Sequence, residues 1–161
     1  MRTYPNVPES REASESSLRK GFEMTRQLEM WCGEFGEQYT ERNRVDWRTV
    51  VPFVRPIVEG LSLDRVLEVG CNRGHNLLAL REVLGEGPEL IGIEPNPHAR
   101  EIARAAGVDA RAADAFGLPF PDGEFDLVFT AGVLIHVSLG DLPRAMREIH
   151  RSSRRYVLAA E

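Results

Sequence analysis

Cysteine is scarce in this chain. Its two cysteines, Cys32 and Cys71, lie far apart and form neither a CxxC pair nor a Cys/His cluster. They offer neither a disulfide framework nor a zinc site, and the pattern suits a reducing compartment. Long apolar runs are lacking too: none approaches the roughly 20 residues that span a bilayer. The N-terminal stretch MRTYPNVPESREASESS has no apolar core of the kind a secretory signal requires. The sequence therefore predicts a cytoplasmic protein with no membrane partner. Positive charge is also short, with 20 Lys and Arg against 25 Asp and Glu and a net charge of −5. Nucleic-acid binding rests on a positive footprint, so no nucleic-acid partner is expected. The basic cluster RSSRR at 151–155 is too short to reverse that and suits a helix C-terminus, where positive charge meets the macrodipole.

What is present is enough for one domain, since 161 residues can bury a core without covalent staples. No internal repeat is visible. Residues 1–16 are polar and rich in Ser and Glu, which predicts a loose lead-in. Leu18, Phe22, Leu28 and Trp31 fall on one helical face, so 16–31 reads as an amphipathic helix. WRTVVPFVRPIVEGL is interrupted by Pro52 and Pro56, which makes it a short or kinked helix. From there the pattern alternates. RVLEVG (65–70), ELIGIE (89–94), VDARAAD (108–114), the run 125–130 and RYVLAAE (155–161) read as strands. Between them, 74–85, the stretch PHAREIARAAG capped by Asn96-Pro97, and 141–153 read as helices. Apolar strands alternating with helices predict an α/β, Rossmann-like, doubly wound parallel sheet.

Ligands of such sheets bind outside the carboxyl ends of the strands. After the first strand, Gly70 and Gly74 in EVGCNRGHN either serve turn geometry alone or let backbone approach a ligand at a helix N-terminus. A dinucleotide fingerprint fails, because Asn72 stands where the second Gly belongs. NAD is thereby disfavoured. Glu94 ends the second strand, where an acid either stands solvated at the strand end or accepts both hydroxyls of a ribose. Asp114 ends the third, where a carboxylate can accept from an exocyclic amine, and Phe116 offers a wall for a purine. Asp is also common at turns.

These elements together resemble the class I S-adenosylmethionine-dependent methyltransferases. The matching stretches are VLEVGCNRG, IGIEPNP and ADAFGLPFPDGEFDLVFTAGVLIHV, in the family's order from about residue 62 onward. The resemblance implies S-adenosyl-L-methionine as cofactor. Its methionine end would lie on the loop of Glu68, Gly70, Cys71, Asn72, Gly74 and Asn76. The ribose would lie at Glu94 and Pro95, the adenine near Asp114, Ala115 and Phe116, and the methyl opposite Thr130 to His136. Asn72 in place of the usual glycine is a departure that bears on the methionine pocket. WCGEFGEQYTERN at 31–43 is similar to the N-terminal motif of a narrower group, methylases associated with pseudaminic acid biosynthesis. That implies an N-terminal helical cover over the cleft (17–60) on a cofactor-binding core (61–161). Trp31 and Phe35 are assigned to packing that helix on the sheet, and Glu34, Tyr39, Arg42 and Asn43 to contact with cofactor or acceptor.

The expected reaction is methyl transfer to a small-molecule acceptor, a sugar-like or natural-product hydroxyl, amine or carboxylate. A positioned base would assist deprotonation. His136, with its near-neutral pKa, is the first candidate, and packing beside Val133 and Leu134 is the other role open to it. Tyr39 and Glu34 come second. His75 is expected beside the cofactor, His98 and His150 on helix surfaces. The family carries two further strands, whereas this sequence stops at the fifth. The open sheet edge predicts a homodimer or a swapped assembly. Two rivals stand beside this reading: a non-catalytic domain that binds the cofactor or its demethylated product, and a nucleotide-dependent oxidoreductase.

Overall fold

The computed structural model describes residues 26–161. The lead-in expected over 1–16, and the opening of the helix expected over 16–31, lie outside the described residues. The cover consists of α1 (Arg26–Cys32) and α2 (Glu34–Arg42). A 3₁₀ turn at Trp47–Thr49 and α3 (Val51–Val58), with Pro56 inside it, lead into the sheet. The core then runs β1 (Arg65–Val69), α4 (His75–Leu84), β2 (Glu89–Ile93), α5 (Pro97–Ala105) and β3 (Asp109–Arg111). It ends with β4 (Phe125–Ala131), a 3₁₀ turn at Leu134–His136, α6 (Leu142–Ser152) and β5 (Ser153–Ala160). The five strands form one sheet in the order β3-β2-β1-β4-β5, with every pairing parallel. The chain winds outward from β1 in one direction, then returns to β1's other side with β4. That reversal leaves a crevice at the carboxyl ends of β1 and β4.

Alternation along the strands sends side chains to two faces. Val66, Leu90, Leu127 and Phe129 meet Val58 of α3 and Leu77 and Leu80 of α4. Leu67, Ile91, Ile93 and Val128 meet Ala145 and Ile149 of α6 and Leu118 of the preceding loop. With both faces covered, β4 is buried at all but its last residue, as a central parallel strand must be. At the end of the sheet away from the crevice, Asp126 accepts the amides of Asp64 (2.8 Å) and Arg65 (3.0 Å) and pairs with Arg154 (2.7 Å).

Two elements differ from the sequence reading. β3 is three residues long instead of seven, because its partner β2 ends at Ile93, opposite Arg111. Asp114 therefore lies in a loop beyond the strand. β5 opens at Ser153 and takes in Arg154 and Arg155, so only the start of RSSRR belongs to a helix end. Arg154 is recruited by Asp126, and Arg155 donates to the Ser62 carbonyl at 2.7 Å. No helix among the described residues is long and apolar enough to cross a membrane.

Candidate functional site

The glycine loop is shaped by backbone that side chains resist. Gly70 and Gly74 have φ of +79° and +76°, and Asn72 has φ of +44°, the single non-glycine positive φ among the described residues. A Cβ on Gly70 would lie 2.6 Å from Val133 Cγ2, and one on Gly74 2.7 Å from Val108 Cγ2. The loop thus sits hard against the segment after β4 and the segment before β3, and only glycine permits it. Amides of Gly70 and Cys71 both donate to the Ile93 carbonyl, at 2.8 and 2.9 Å, which ties the loop to the end of β2.

Three carboxylates surround this loop. Glu68, one residue before the end of β1, is buried, and accepts from Asn76 Nδ2 at 2.6 Å through Oε1. Its Oε2 is buried with no partner among the described residues. Burial raises its pKa to about 8 against the Asn76 hydrogen bond, and neighbouring Glu94 adds to the rise. Glu94 accepts the Asn96 amide on one oxygen and the Asn72 amide on the other, both at 2.9 Å. Burial nevertheless raises its pKa, more than those bonds and Arg100 lower it. Asp114 accepts the Phe116 amide at 2.7 Å, and burial raises its pKa as well. Raised carboxyl pKa values gathered in a cleft are a mark of a functional site.

A cavity of about 300 Å³ joins these groups, within the range of small-molecule sites. Of the residues expected on sequence grounds, Glu68, Gly70, Cys71, Asn72 and Asn76 line it, together with Glu94, Pro95, Asp114, Ala115 and Phe116. Tyr39, Asn43, His75 and His136 line it too. Three do not. Gly74 caps α4 from behind the loop. Thr130 is buried and donates to Glu161 Oε1 at 2.7 Å, so it is turned away from the cavity. Arg42 is exposed and lines a shallow surface depression with Glu34, Glu37 and His98. Burial pushes the Cys71 thiol well above its ordinary range, which makes it packing for the site and no nucleophile.

The cover brings two aromatic rings, Trp31 and Tyr39, to the mouth, where they meet His136 from the turn after β4. Trp31 packs edge-on against Tyr39, with centroids 5.0 Å apart, and lies 4.8 Å from His136. Trp31, assigned to packing from the sequence, is a lining residue, while Phe35 stays 42% exposed and touches Trp31 edge-on. Sequence reading missed Gln27, Leu28, Val45 and Val50 in the lining. Gln27 and Leu28 come from α1, where periodicity put Leu28 on the apolar face without marking it for a site, and Val45 and Val50 come from the irregular stretch ahead of α3. Among the described residues no group of three His, Cys, Asp or Glu is placed to hold a metal.

A buried-acid crevice at the switch point of a parallel sheet narrows the family. The sequence profile of a family described as "Methyltransferase domain" matches residues 67–156, more than half of the chain. The chain belongs to that family. This methyltransferase-family chain is 32% identical over 96 residues to 2-phytyl-1,4-naphtoquinone methyltransferase of Synechococcus elongatus, covering 55% of the chain and 40% of that protein. It thus spans about two-fifths of that relative's length. Among solved structures it is similar to a SAM-dependent methyltransferase, possible histamine N-methyltransferase, of Thermotoga maritima. The TM-score is 0.60 at 26% identity, over 83% of this chain and 61% of that one. It is also similar to the cyclase SpnF, with TM-score 0.54 and 31% identity over 68% of this chain and 44% of that one.

Proposed function

We propose that the protein binds S-adenosyl-L-methionine and transfers its methyl group to a small-molecule acceptor, leaving S-adenosyl-L-homocysteine. The observation that carries this is the gathering of Glu68, Glu94 and Asp114 on one cavity beside a loop of positive φ. The residues fit such a cofactor. The unpartnered buried oxygen of Glu68 suits the ammonium of an amino acid, Glu94 still has lone pairs for ribose hydroxyls, and Asp114 with Phe116 suits an adenine. Once bound, the cofactor supplies an electrophilic methyl on a sulfonium. The chain's own task is to hold the acceptor in line and exclude water. Trp31, Tyr39 and His136 close the mouth, and the neutral imidazole of His136, or Tyr39 acting as its phenolate, takes up the proton of a hydroxyl or amine.

The lining mixes apolar Leu28, Val45, Val133 and Val137 with polar Gln27, Asn43 and Tyr39. That mixture suits a ring-shaped acceptor with polar substituents, sugar-like or a natural product. The kinship with methylases of pseudaminic acid biosynthesis belongs to this proposal, supported by Trp31, Tyr39 and Asn43 of the N-terminal motif lining the cavity. A cytoplasmic setting is supported by Cys32 and Cys71 being free thiols. One observation favours a second reading, a domain that binds the cofactor or its product without transferring methyl: a neighbour at 31% identity is named a cyclase.

The test is calorimetric titration of S-adenosylmethionine, S-adenosylhomocysteine and NAD into wild type and Glu94→Ala. Micromolar binding of the first two, roughly −8 kcal/mol, is expected, with loss in a variant that melts cooperatively. Failure of folded wild type to bind either would sink the proposal. Binding without turnover over a panel of hydroxyl, amine and quinol acceptors would favour the second reading.

A further inference from the structure

The cover is held down by hydrogen bonds to the two loops that flank Glu94. From the loop after β2, Asn96 Nδ2 donates to the Trp31 carbonyl at 2.8 Å, and Cys32 Sγ donates to the Pro95 carbonyl at 3.6 Å. From the loop after β1, Asn72 Nδ2 donates to Thr40 Oγ1 at 3.1 Å, and Arg73 donates to the Thr40 carbonyl at 3.3 Å. Thr40 is fully buried in α2. Asn72 is the position where the sequence departs from glycine while keeping glycine-like backbone, with φ of +44°. Asn is among the few residues that tolerate that conformation, so the loop shape is retained and a side chain is gained.

Among the described residues that side chain has one hydrogen-bond anchor, in the cover. Its other amide atom, Oδ1, is buried and has no partner among the described residues. Whichever way the amide is turned, one of its two polar atoms meets Thr40 and the other is left over. The backbone of the same residue donates to Glu94 at 2.9 Å. One residue therefore touches the cover, the glycine loop and the acid after β2, and it lines the cavity.

We propose that Asn72 is a positioning residue which locks the α1–α2 cover to the glycine loop through Thr40, so that filling the cofactor cavity and closing the cover are one coupled event. This rests on the cofactor reading above. When the loop is fixed by a ligand, Asn72 holds Thr40, and α2 with Tyr39 is fixed over the acceptor side. When the loop is free, α2 loses that restraint. Coupling of this kind is reciprocal: anything that loosens the cover weakens the ligand.

The experiment is amide hydrogen exchange of residues 34–42 in the full chain, with and without S-adenosylhomocysteine, in wild type, Thr40→Val, Thr40→Ser and Asn72→Gly. Thermal melts verify that each variant is folded. In wild type the ligand is expected to slow exchange in α2 by about fivefold or more. Thr40→Val and Asn72→Gly should reduce that slowing to less than about twofold and weaken ligand affinity, whereas Thr40→Ser, which keeps the hydroxyl, should restore both. A purely structural role would lower stability in all states and leave the ligand's effect on exchange intact, which overturns the proposal. Binding that leaves α2 exchange unchanged in wild type also overturns it, with the cofactor reading still standing. No binding to wild type removes both.

Discussion

Glu68 concentrates the electrostatic tension of the site in one residue. Its folded pKa of about 8 lies above the ordinary 4.5, because burial disfavours the charged form. The sign follows. The folded state holds this proton longer than the unfolded chain, so stability falls as pH rises from about 4.5 to 8, and levels off beyond. The ligand-free protein should lose up to about 1.4 kcal/mol per pH unit across that window. Urea unfolding at pH 6 and pH 8 tests this, with Glu68→Gln expected to flatten the dependence; an unchanged slope in the variant refutes the assignment. Gly36 of α2 is a different constraint, one of space. A Cβ there would come 1.8 Å from the Trp31 carbonyl and 2.6 Å from Asn96 Nδ2. Gly36→Ala should therefore push the cover away from the Asn96 loop, costing about 1–3 kcal/mol by denaturation and weakening cofactor affinity. Full retention of both would show that the cover does not need that close approach.

Among the elements, α6 shows how one helix supplies a face of the core. Ala145 and Ile149 point into the cluster around Leu67, Ile91 and Val128, while Met146 remains 54% exposed. Ile149→Ala should cost about 2–5 kcal/mol, and Met146→Ala within about 0.5 kcal/mol. Equal losses in chemical denaturation would contradict this facing. Elements of this strength are the ones legible in sequence. The strands β1, β2 and β4 are predominantly apolar, and Asn96-Pro97 announces α5, whose cap the structure shows as Asn96 Oδ1 accepting the Ala99 amide. The length of β3 was not legible, because it is set by where β2 stops and not by its own residues. In the site, the acids at strand ends were readable from position alone. Thr130 was not: which way it turns depends on Glu161, remote in sequence, whose carboxylate also takes the Ile135 amide at 3.1 Å. Val45 and Val50 gave no signal, since their place in the lining comes from the path of an irregular segment. Trp31 was read as packing because an aromatic residue on an amphipathic helix usually is, and the structure shows it shared between the helix and the cavity.

At the scale of the whole molecule the sheet has two outer strands of different character. β3 is short, and a short edge discourages pairing. β5 is eight residues long, lies at the other end of the order, and exposes Val157 at 49%. We propose that β5 pairs with a second copy of the chain. Light scattering after size exclusion should show a dimer at micromolar concentration, and Val157→Lys should shift it towards monomer by adding charge along the edge. A monomer at every concentration would end that proposal. The order of the strands also bears on how the chain reaches this state. Val66 lies beside Leu127 in the sheet, so the central ladder closes only after β2, β3 and two helices have been threaded between its partners. Such distant pairing carries a loop-closure penalty before any reward. Folding should accordingly be slow for the chain's size, with the half-sheet of β1, β2 and β3 able to form early from near neighbours. The carboxyl-end crevice, which needs both halves, would be the last feature to exist.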